Sequence, residues 1–124
     1  MASIVPYFSY VDAATAVAWL ESAFGLEPTV VVPDEDGVVV HAEMRHRGAY
    51  IMLGQVDHRP AGQPAGPGVY LVVEDVDAHH ERARSAGADI VYPPEDTPFG
   101  TRRYRARDVE GYEWSFGTYA PGSS

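Results

Sequence analysis

The chain has 124 residues, a length that fits one globular domain whose core needs no disulfide or metal to hold it. It has no cysteine and no lysine, because all nine basic residues are arginine, and this excludes disulfides, thiolate metal sites and lysine Schiff bases. The formal net charge of −9 argues against nucleic-acid binding and would attract cationic ligands, although surplus acid also serves solubility alone.

The amino-terminal sequence MASIVPYFSY has neither the basic start nor the apolar stretch of a signal peptide. No apolar run in the chain approaches the roughly 20 residues that would span a bilayer. We therefore expect a soluble cytoplasmic protein that has neither nucleic acid nor membrane as a partner.

The first predicted elements are a short strand and a helix within Val5–Glu27. Asp12 fits the N-cap of the helix, where a carboxylate accepts hydrogen bonds from first-turn amides, and Gly25 fits the left-handed position after its end. Apolar residues recur at helical spacing and predict one buried stripe: Val17, Leu20 and Phe24, broadened by Trp19 and Ala23.

Three extended segments follow the first helix. Within Thr29–Met44 an acidic turn that ends at Gly37 separates two β-branched runs, which predicts a hairpin. A second turn at Arg45–Gly48 leads into the segment AYIMLGQ.

The second half of the chain repeats this order. Gly68–Ile90 predicts a strand and a helix with Asp75 and Gly87 as its caps, and three extended segments follow, two of them joined by a Pro-rich loop around Phe99. The sequence thus predicts an α+β fold of two tandem βαβββ modules, about 4–55 and 68–119, in one domain. The Pro/Gly-rich segment Val56–Gly68 is predicted to connect the two modules.

Side-chain alternation along the strands separates a core face from an open face. In the last strand Trp114 and Phe116 are predicted to pack, which leaves Glu113 and Ser115 on the open face. The same period, carried to the other strands, gives these candidate ligand-binding residues: Tyr7, Ser9, Tyr50, Met52, Tyr70, Glu113 and Ser115. Rings and hydroxyls suit a flat or amphipathic small molecule, but these tyrosines could equally be ordinary half-buried strand residues.

Two further ligand-binding candidates come from the segment RRYRARD, where Arg103, Arg105 and Arg107 share one face. On the open side Arg103 and Arg105 could hold a carboxylate or phosphate, whereas toward water they would only be solvated. Phe99 is also a candidate, because its loop could cover a cavity as a lid or be a simple connection.

The catalytic candidates are His41, Glu43 and Glu113. His41 and Glu43 share one face of the segment VVVHAEM and could form a metal pair or an acid/base couple. Superposing the two halves by their turns places His41 level with Tyr104 and not with an arginine, which leaves the facing of these residues open.

The other histidines are not expected to form a site. His79 and His80 are adjacent on a helix, diverge by about 100°, and are predicted to be surface residues. His46 and His58 are predicted to lie exposed in turns.

The duplicated βαβββ order, with EDVDA at Glu74–Ala78 and D-x-x-G-x-x-W at Asp108–Trp114, resembles the vicinal oxygen chelate superfamily. Pro6–Phe8 and Ala23–Glu27 are similar more narrowly to its glyoxalase and bleomycin-resistance-like proteins. The resemblance covers about residues 4–119. It implies that each module curls its mixed sheet into a half-cup with the helix outside, and that two modules form a cavity. It also implies a homodimer in which modules of different subunits can share the cups.

In metal-using members of this superfamily the first and last strands of each module supply the ligands. Those positions fall near Val5 and Gly68 and on Met52 and Ser115 in this chain. A thioether and a neutral hydroxyl hold divalent cations poorly, so no metal and no other cofactor is expected.

The resemblance and the aromatic lining together favour a metal-independent binding protein that sequesters an aromatic or amphipathic ligand, cationic or planar, as antibiotic-resistance proteins of this kind do. The alternative is a lyase, isomerase or dioxygenase of the same fold with an atypical metal or acid/base site. A third reading is a dimeric interaction module whose cup is filled by its own side chains.

Overall fold

The computed structural model describes residues 4–57 and 68–122. Contacts divide the chain into two compact units, whose described parts are these two ranges, called unit 1 and unit 2 below. The predicted connector falls almost entirely outside the described residues, and so does His58. Neither helix of the described ranges is long and apolar enough to cross a membrane.

Each unit consists of one strand, one helix and three further strands. Unit 1 contains β1 (Tyr7–Tyr10), α1 (Ala13–Phe24), β2 (Glu27–Pro33), β3 (Val39–His46) and β4 (Ala49–Gln55). Unit 2 contains β5 (Val69–Val72), α2 (Val76–Ser85), β6 (Asp89–Asp96), β7 (Arg102–Arg107) and β8 (Glu113–Gly117). The predicted α+β class and the tandem βαβββ order are confirmed.

The two sheets have the same topology. Their strand orders are β1-β4-β3-β2 and β5-β8-β7-β6, and neither sheet is closed. The first strand of each unit pairs in parallel with the last, whereas the other neighbours are antiparallel. A parallel partner requires a crossover connection, and the helix of each unit begins that connection.

The predicted N-caps of both helices and the left-handed Gly25 are confirmed, whereas the C-cap of α2 is Ala86, and Gly87, with a φ of 91°, follows it. Asp12 Oδ1 accepts a hydrogen bond from Thr15 N at 3.1 Å, and Asp75 Oδ1 accepts one from Ala78 N at 3.0 Å. Gly25 has a φ of 76° directly after α1, where only a residue without Cβ adopts the left-handed conformation cheaply.

One face of each sheet forms the core together with the helix. The predicted stripe of α1 is buried at Val17, Leu20 and Phe24, and the unit 1 sheet contributes Ala42, Met44 and Leu53. In unit 2 the side chains on this face are fully buried at Tyr104, Ala106, Trp114 and Phe116. The alternation predicted for the last strand is therefore correct, and Glu113 and Ser115 lie on the opposite, open face.

His79 is not the surface residue predicted from the sequence. Its Nδ1 lies 2.6 Å from the Tyr104 hydroxyl, and its ring centroid lies 4.3 Å from that of Phe116. His79 follows Val76 by three residues and precedes Ala83 by four, and both are buried, so it belongs to the stripe of α2 that faces the sheet. That spacing was a signal that could have identified its position from the sequence.

The buried Tyr104 predicts an alkaline loss of stability. Burial raises the pKa of its phenol above the ordinary value of 10. Above pH 10 the unfolded chain therefore releases this proton while the folded chain retains it, so the free energy of unfolding falls as the pH rises. We expect Tyr104 to contribute a slope of up to about 1.4 kcal/mol per pH unit.

Urea unfolding of the protein and of Tyr104→Phe at pH 9, 10 and 11 measures this contribution. The free energy of unfolding of the variant should fall less steeply with pH. Tyr70 contributes to the slope that the variant still shows, because burial also raises its pKa. Because the chain has no lysine, no ammonium group of a side chain titrates in this window. Equal slopes in the two proteins would contradict the assignment to Tyr104.

Candidate functional site

The open face of the unit 2 sheet carries three rows of side chains, each running across the strands. The middle row aligns Tyr70, Ser115, Arg105 and Tyr92. One flanking row consists of Glu113, Arg107 and Asp89, and the other of Val72, Gly117, Arg103 and Glu95. The structure thus brings five of the ligand-binding candidates together on one face: Tyr70, Arg103, Arg105, Glu113 and Ser115.

Arg105 lies at the centre of a polar network on this face. Its Nε donates to Ser115 Oγ at 2.9 Å, and its Nη1 reaches Glu113 Oε1 at 3.5 Å. Arg107 holds the other oxygen of Glu113 at 3.2 Å and Asp89 Oδ2 at 3.2 Å. Ser115 is therefore an acceptor for a guanidinium group in this arrangement.

The ring of Tyr92 is in contact with two arginines. The Cζ atoms of Arg103 and Arg105 each lie 5.6 Å from its centroid, within the range of a cation–π contact. Arg103 also donates through Nη2 to Glu95 Oε1 at 3.2 Å. These contacts hold both guanidinium groups over the sheet and restrict their rotamers.

Two cavities border this face. The larger, of about 600 Å³, is lined by Tyr70, Thr97, Phe99, Thr101, Arg102, Arg103, Tyr119 and Pro121. The smaller, of about 340 Å³, is lined by Gly68, Val69, Tyr70, Tyr92, Arg103, Arg105 and Ser115. Tyr70 and Arg103 border both cavities, which makes them the boundary between an aromatic space and a space lined by two arginines.

In each unit a first-strand tyrosine lies over a last-strand glycine. A Cβ added to Gly117 would come 2.6 Å from the Tyr70 hydroxyl, and one added to Gly54 would come closer still to the Tyr7 hydroxyl. Tyr70 also donates to the carbonyl of Tyr119 at 2.7 Å. Sequence reasoning missed both glycines, although their equal position in AYIMLG and YEWSFG was a signal that could have identified them.

Phe99 lies at the tip of the β6–β7 loop and is 87% exposed. The loop is closed by a hydrogen bond from Thr97 N to the Thr101 carbonyl at 2.8 Å, and Thr97 Oγ1 accepts from Phe99 N at 3.2 Å. The exposed ring therefore stands on an ordered turn at the border of the larger cavity. Its action as a lid stays a prediction.

The open face of unit 1 carries the remaining candidates. Tyr7, Met52 and Glu43 align in one row, Ser9, Gly54 and His41 in the next, and Tyr50 pairs with Arg45. His41 Nε2 lies 3.1 Å from Glu43 Oε2, and both side chains are about one third exposed. The structure thus joins two of the three catalytic candidates, whereas Glu113 belongs to unit 2 and is held there by arginines.

The register corrects the superposition made from the turns. His41 pairs with Gly54 as Arg103 pairs with Gly117, so His41 corresponds to Arg103 and not to Tyr104. The reason is turn length, because two residues separate the paired His46 and Ala49, whereas three separate the hydrogen-bonded Asp108 and Tyr112. The prediction that His46 lies in a turn is wrong, because His46 is the last residue of β3.

The residues at the metal-ligand positions implied by the resemblance do not fit a metal ion. Within residues 4–57 and 68–122, no three His, Asp or Glu side chains are grouped so that they could hold one. Val5 and Gly68 offer no side-chain donor, and Met52 offers only a thioether. Ser115 Oγ lies 2.9 Å from the guanidinium of Arg105, whose positive charge would repel a cation bound there.

Comparison with known proteins supports the fold assignment. The sequence profile of the Glyoxalase/Bleomycin resistance protein/Dioxygenase superfamily matches residues 7–116. Uncharacterized proteins of Mycobacterium bovis and Mycobacterium tuberculosis are 33% identical to this chain over 124 residues, covering 93% of it and 82% and 73% of the relatives.

Solved structures with this fold include the crystal structure of TioX from Micromonospora sp. ML1. It is 34% identical with a TM-score of 0.80, covering 99% of this chain and 100% of TioX. FosX, a fosfomycin resistance protein of Listeria monocytogenes that was crystallised with Mn(II), shares the fold at 15% identity and a TM-score of 0.75, covering 98% of this chain and 96% of FosX.

Proposed function

Because this chain belongs to the Glyoxalase/Bleomycin resistance protein/Dioxygenase superfamily, we propose that it binds and sequesters an aromatic or amphipathic small molecule without a metal ion. The observation that carries the proposal is the pair of cavities on unit 2 that share Tyr70 as a wall. We further propose that the protein acts as a homodimer, as the resemblance implies, and that it does so in the cytoplasm.

The lining of the larger cavity supports an aromatic guest. Its volume of about 600 Å³ falls within the range of roughly 300–1,000 Å³ that is usual for small-molecule sites. Its walls include three rings and a proline for stacking, and two threonine hydroxyls for orientation: Tyr70, Phe99, Tyr119, Pro121, Thr97 and Thr101.

The position of Tyr70 supports binding by a preformed surface. The ring lies over Gly117, and its hydroxyl is fixed by the Tyr119 carbonyl at 2.7 Å. A side chain that is already ordered loses little rotamer freedom when a ligand stacks on it. Little of the free energy gained by stacking on Tyr70 is therefore offset by loss of side-chain entropy.

Metal independence is supported by the donors at the four positions that metal-using relatives fill with ligands. In this chain those positions fall near Val5 and Gly68 and on Met52 and Ser115. The proposed mechanism is accordingly capture by shape, stacking and hydrogen bonding, with no bond made or broken in the ligand.

The test is isothermal titration of the protein with a panel of planar and amphipathic compounds, some cationic. We expect at least one compound to bind, and Tyr70→Ala to weaken it about tenfold or more because both cavities lose a wall. Tyr50→Ala probes the corresponding face of unit 1. Val109→Ala, at an exposed site that borders neither cavity, serves as the control. Only heats of dilution across the whole panel would contradict the proposal.

A second candidate function is acid/base catalysis, favoured by the 3.1 Å contact between His41 and Glu43 on the open face of unit 1. Mass spectrometry of a bound compound after long incubation separates the two functions. A compound recovered unchanged supports sequestration, whereas conversion that His41→Gln abolishes supports the enzyme. One transition-metal ion per chain, found by elemental analysis of protein purified without chelator, would also favour the enzyme.

A further inference from the structure

We propose that the ligand of unit 2 is a planar aromatic carboxylate, with its carboxylate between Arg103 and Arg105 in the smaller cavity and its ring in the larger one. This inference rests on the proposed function and names the chemical class of the ligand. It departs from the cationic ligand that the net charge of −9 suggests.

The side chains that line the two cavities differ in charge from the chain as a whole. Their linings include three arginines, Arg102, Arg103 and Arg105, and no aspartate or glutamate. The Debye length is about 8 Å at physiological salt, so distant acidic residues are largely screened from a ligand held by these arginines. The carboxylate partners of these arginines lie within 3.5 Å of them, so the favoured sign of ligand charge depends on which arginine has donors left for a ligand.

Arg102 is already committed to two carboxylates. It donates through Nε and Nη2 to both oxygens of Asp77 at 3.0 Å, and through Nη1 to Asp96 Oδ1 at 3.0 Å. The hydrogen bonds from Arg102 hold the pKa of Asp77 below its usual range. Two negative charges already balance this cation, which leaves Arg103 and Arg105 as the cations available to a ligand.

Arg105 has donors to spare. A guanidinium group has five N–H donors, and among the described residues that of Arg105 bonds Ser115 through Nε and Glu113 through one long contact of 3.5 Å. Arg107 holds the same Glu113 carboxylate at the shorter distance of 3.2 Å. An incoming carboxylate can therefore take the remaining N–H groups of Arg105 without leaving Glu113 unpaired.

Arg103 is held by one carboxylate on the surface. Its partner Glu95 accepts at 3.2 Å, and both side chains are about half exposed. Exposed ion pairs of this kind contribute little free energy, so a ligand carboxylate in the cavity can compete with Glu95. Planar carboxylates match the fork of a guanidinium group better than any other common anion except phosphate.

The carboxylate and the ring of the ligand would occupy adjacent cavities, because the two cavities share part of their lining. Tyr70 and Arg103 border both cavities, so we place the ring of the ligand against Tyr70 and the acid group bonded to it beside Arg103. Tyr92 lies 5.6 Å from both arginine Cζ atoms and keeps the two cations on the same side of the sheet.

The test titrates the full chain with three probes that share one ring system: 2-naphthoate, 2-naphthamide and 2-naphthylmethylammonium. We expect 2-naphthoate to bind about tenfold or more tightly than the amide, and the ammonium compound to bind no better than the amide. Arg105→Gln should remove most of the preference for the carboxylate. Arg84→Gln is the matched control, because it removes the same charge from unit 2 at an exposed position of α2 that borders neither cavity.

The outcomes separate this inference from the proposed function. If the amide binds as tightly as 2-naphthoate, the carboxylate proposal is wrong and the binding function stands. If Arg84→Gln removes the preference as strongly as Arg105→Gln does, the preference comes from the general charge of unit 2 and the assigned site is wrong. If none of the three probes binds the protein, the carboxylate proposal is wrong, and the wider panel decides the proposed function.

Discussion

Replacement of Asp108 by alanine should lower the free energy of unfolding by about 3 kcal/mol. Asp108 is only 6% exposed, and its Oδ1 accepts from the amides of Glu110 at 2.9 Å and Tyr112 at 3.0 Å. Its Oδ2 accepts from Nε1 of the fully buried Trp114 at 3.0 Å. Alanine would leave a buried indole donor without an acceptor and loosen the turn that sets the register of β8. Urea unfolding, followed by Trp fluorescence, measures the loss.

The chain has a matched control in its other acidic turn. Asp34 Oδ1 also accepts two backbone amides, from Asp36 and Val38 at 2.9 Å each, but these bonds are exposed. Asp34→Ala should therefore cost no more than about 1 kcal/mol, because water replaces the lost acceptor.

Asp108→Asn should lie between the two alanine variants. Its amide oxygen can still accept the two backbone donors, but its NH₂ group cannot accept the indole N–H of Trp114. Equal costs for Asp108→Ala and Asp34→Ala would show that the buried indole bond contributes nothing, and would contradict this account.

Substitution of Gly117 by alanine should cost about 2 kcal/mol and should also abolish most ligand affinity. The new Cβ would lie 2.6 Å from the Tyr70 hydroxyl and 3.1 Å from the carbonyl oxygen of Arg102. The backbone carbonyl has little freedom to move, so the ring of Tyr70 must leave its place and give up its bond to Tyr119. Thermal unfolding and titration with the best ligand found above measure the two effects.

Gly48→Ala provides the control for the loss of glycine itself. A Cβ at Gly48 meets no atom within 4 Å, and its φ lies outside the left-handed region, so stability should change little. In the background Tyr70→Ala, Gly117→Ala should cost at least about 1 kcal/mol less than in the native chain, since the ring that obstructs it is gone. An unchanged cost in that background would identify the Arg102 carbonyl, and not the ring, as the obstacle.

The features that were predictable from the sequence depend on local periodicity. Trp114 and Phe116 alternate with Glu113 and Ser115, and a period of two is enough to decide which pair meets the core. Asp12 and Asp75 were assigned as caps because a carboxylate before an apolar helical pattern has a specific local partner, the first-turn amides. Such features need no knowledge of distant residues.

The features that escaped prediction depend on contacts between distant segments. The correspondence of His41 with Arg103 follows from strand pairing, which turn length alone does not determine. The place of Gly117 under Tyr70 joins residues 47 positions apart, and a sequence pattern gives no direct sign of such a contact. The charge of the cavity lining is also a property of which residues the fold brings together, whereas the net charge counts all of them equally.

The parallel pairing of the first and last strands has a consequence for the order in which the chain acquires its structure. Within its sheet β5 has one neighbouring strand, β8, so the main-chain groups of Val69–Val72 find their partners only after Glu113–Gly117 has emerged from the ribosome. Unit 1 repeats this arrangement with β1 and β4, which are complete at Gln55. The amino-terminal sheet can therefore assemble while the carboxyl-terminal one is still being synthesised, and a transcript cut short before codon 113 would produce one finished sheet followed by a segment with an unpaired strand edge.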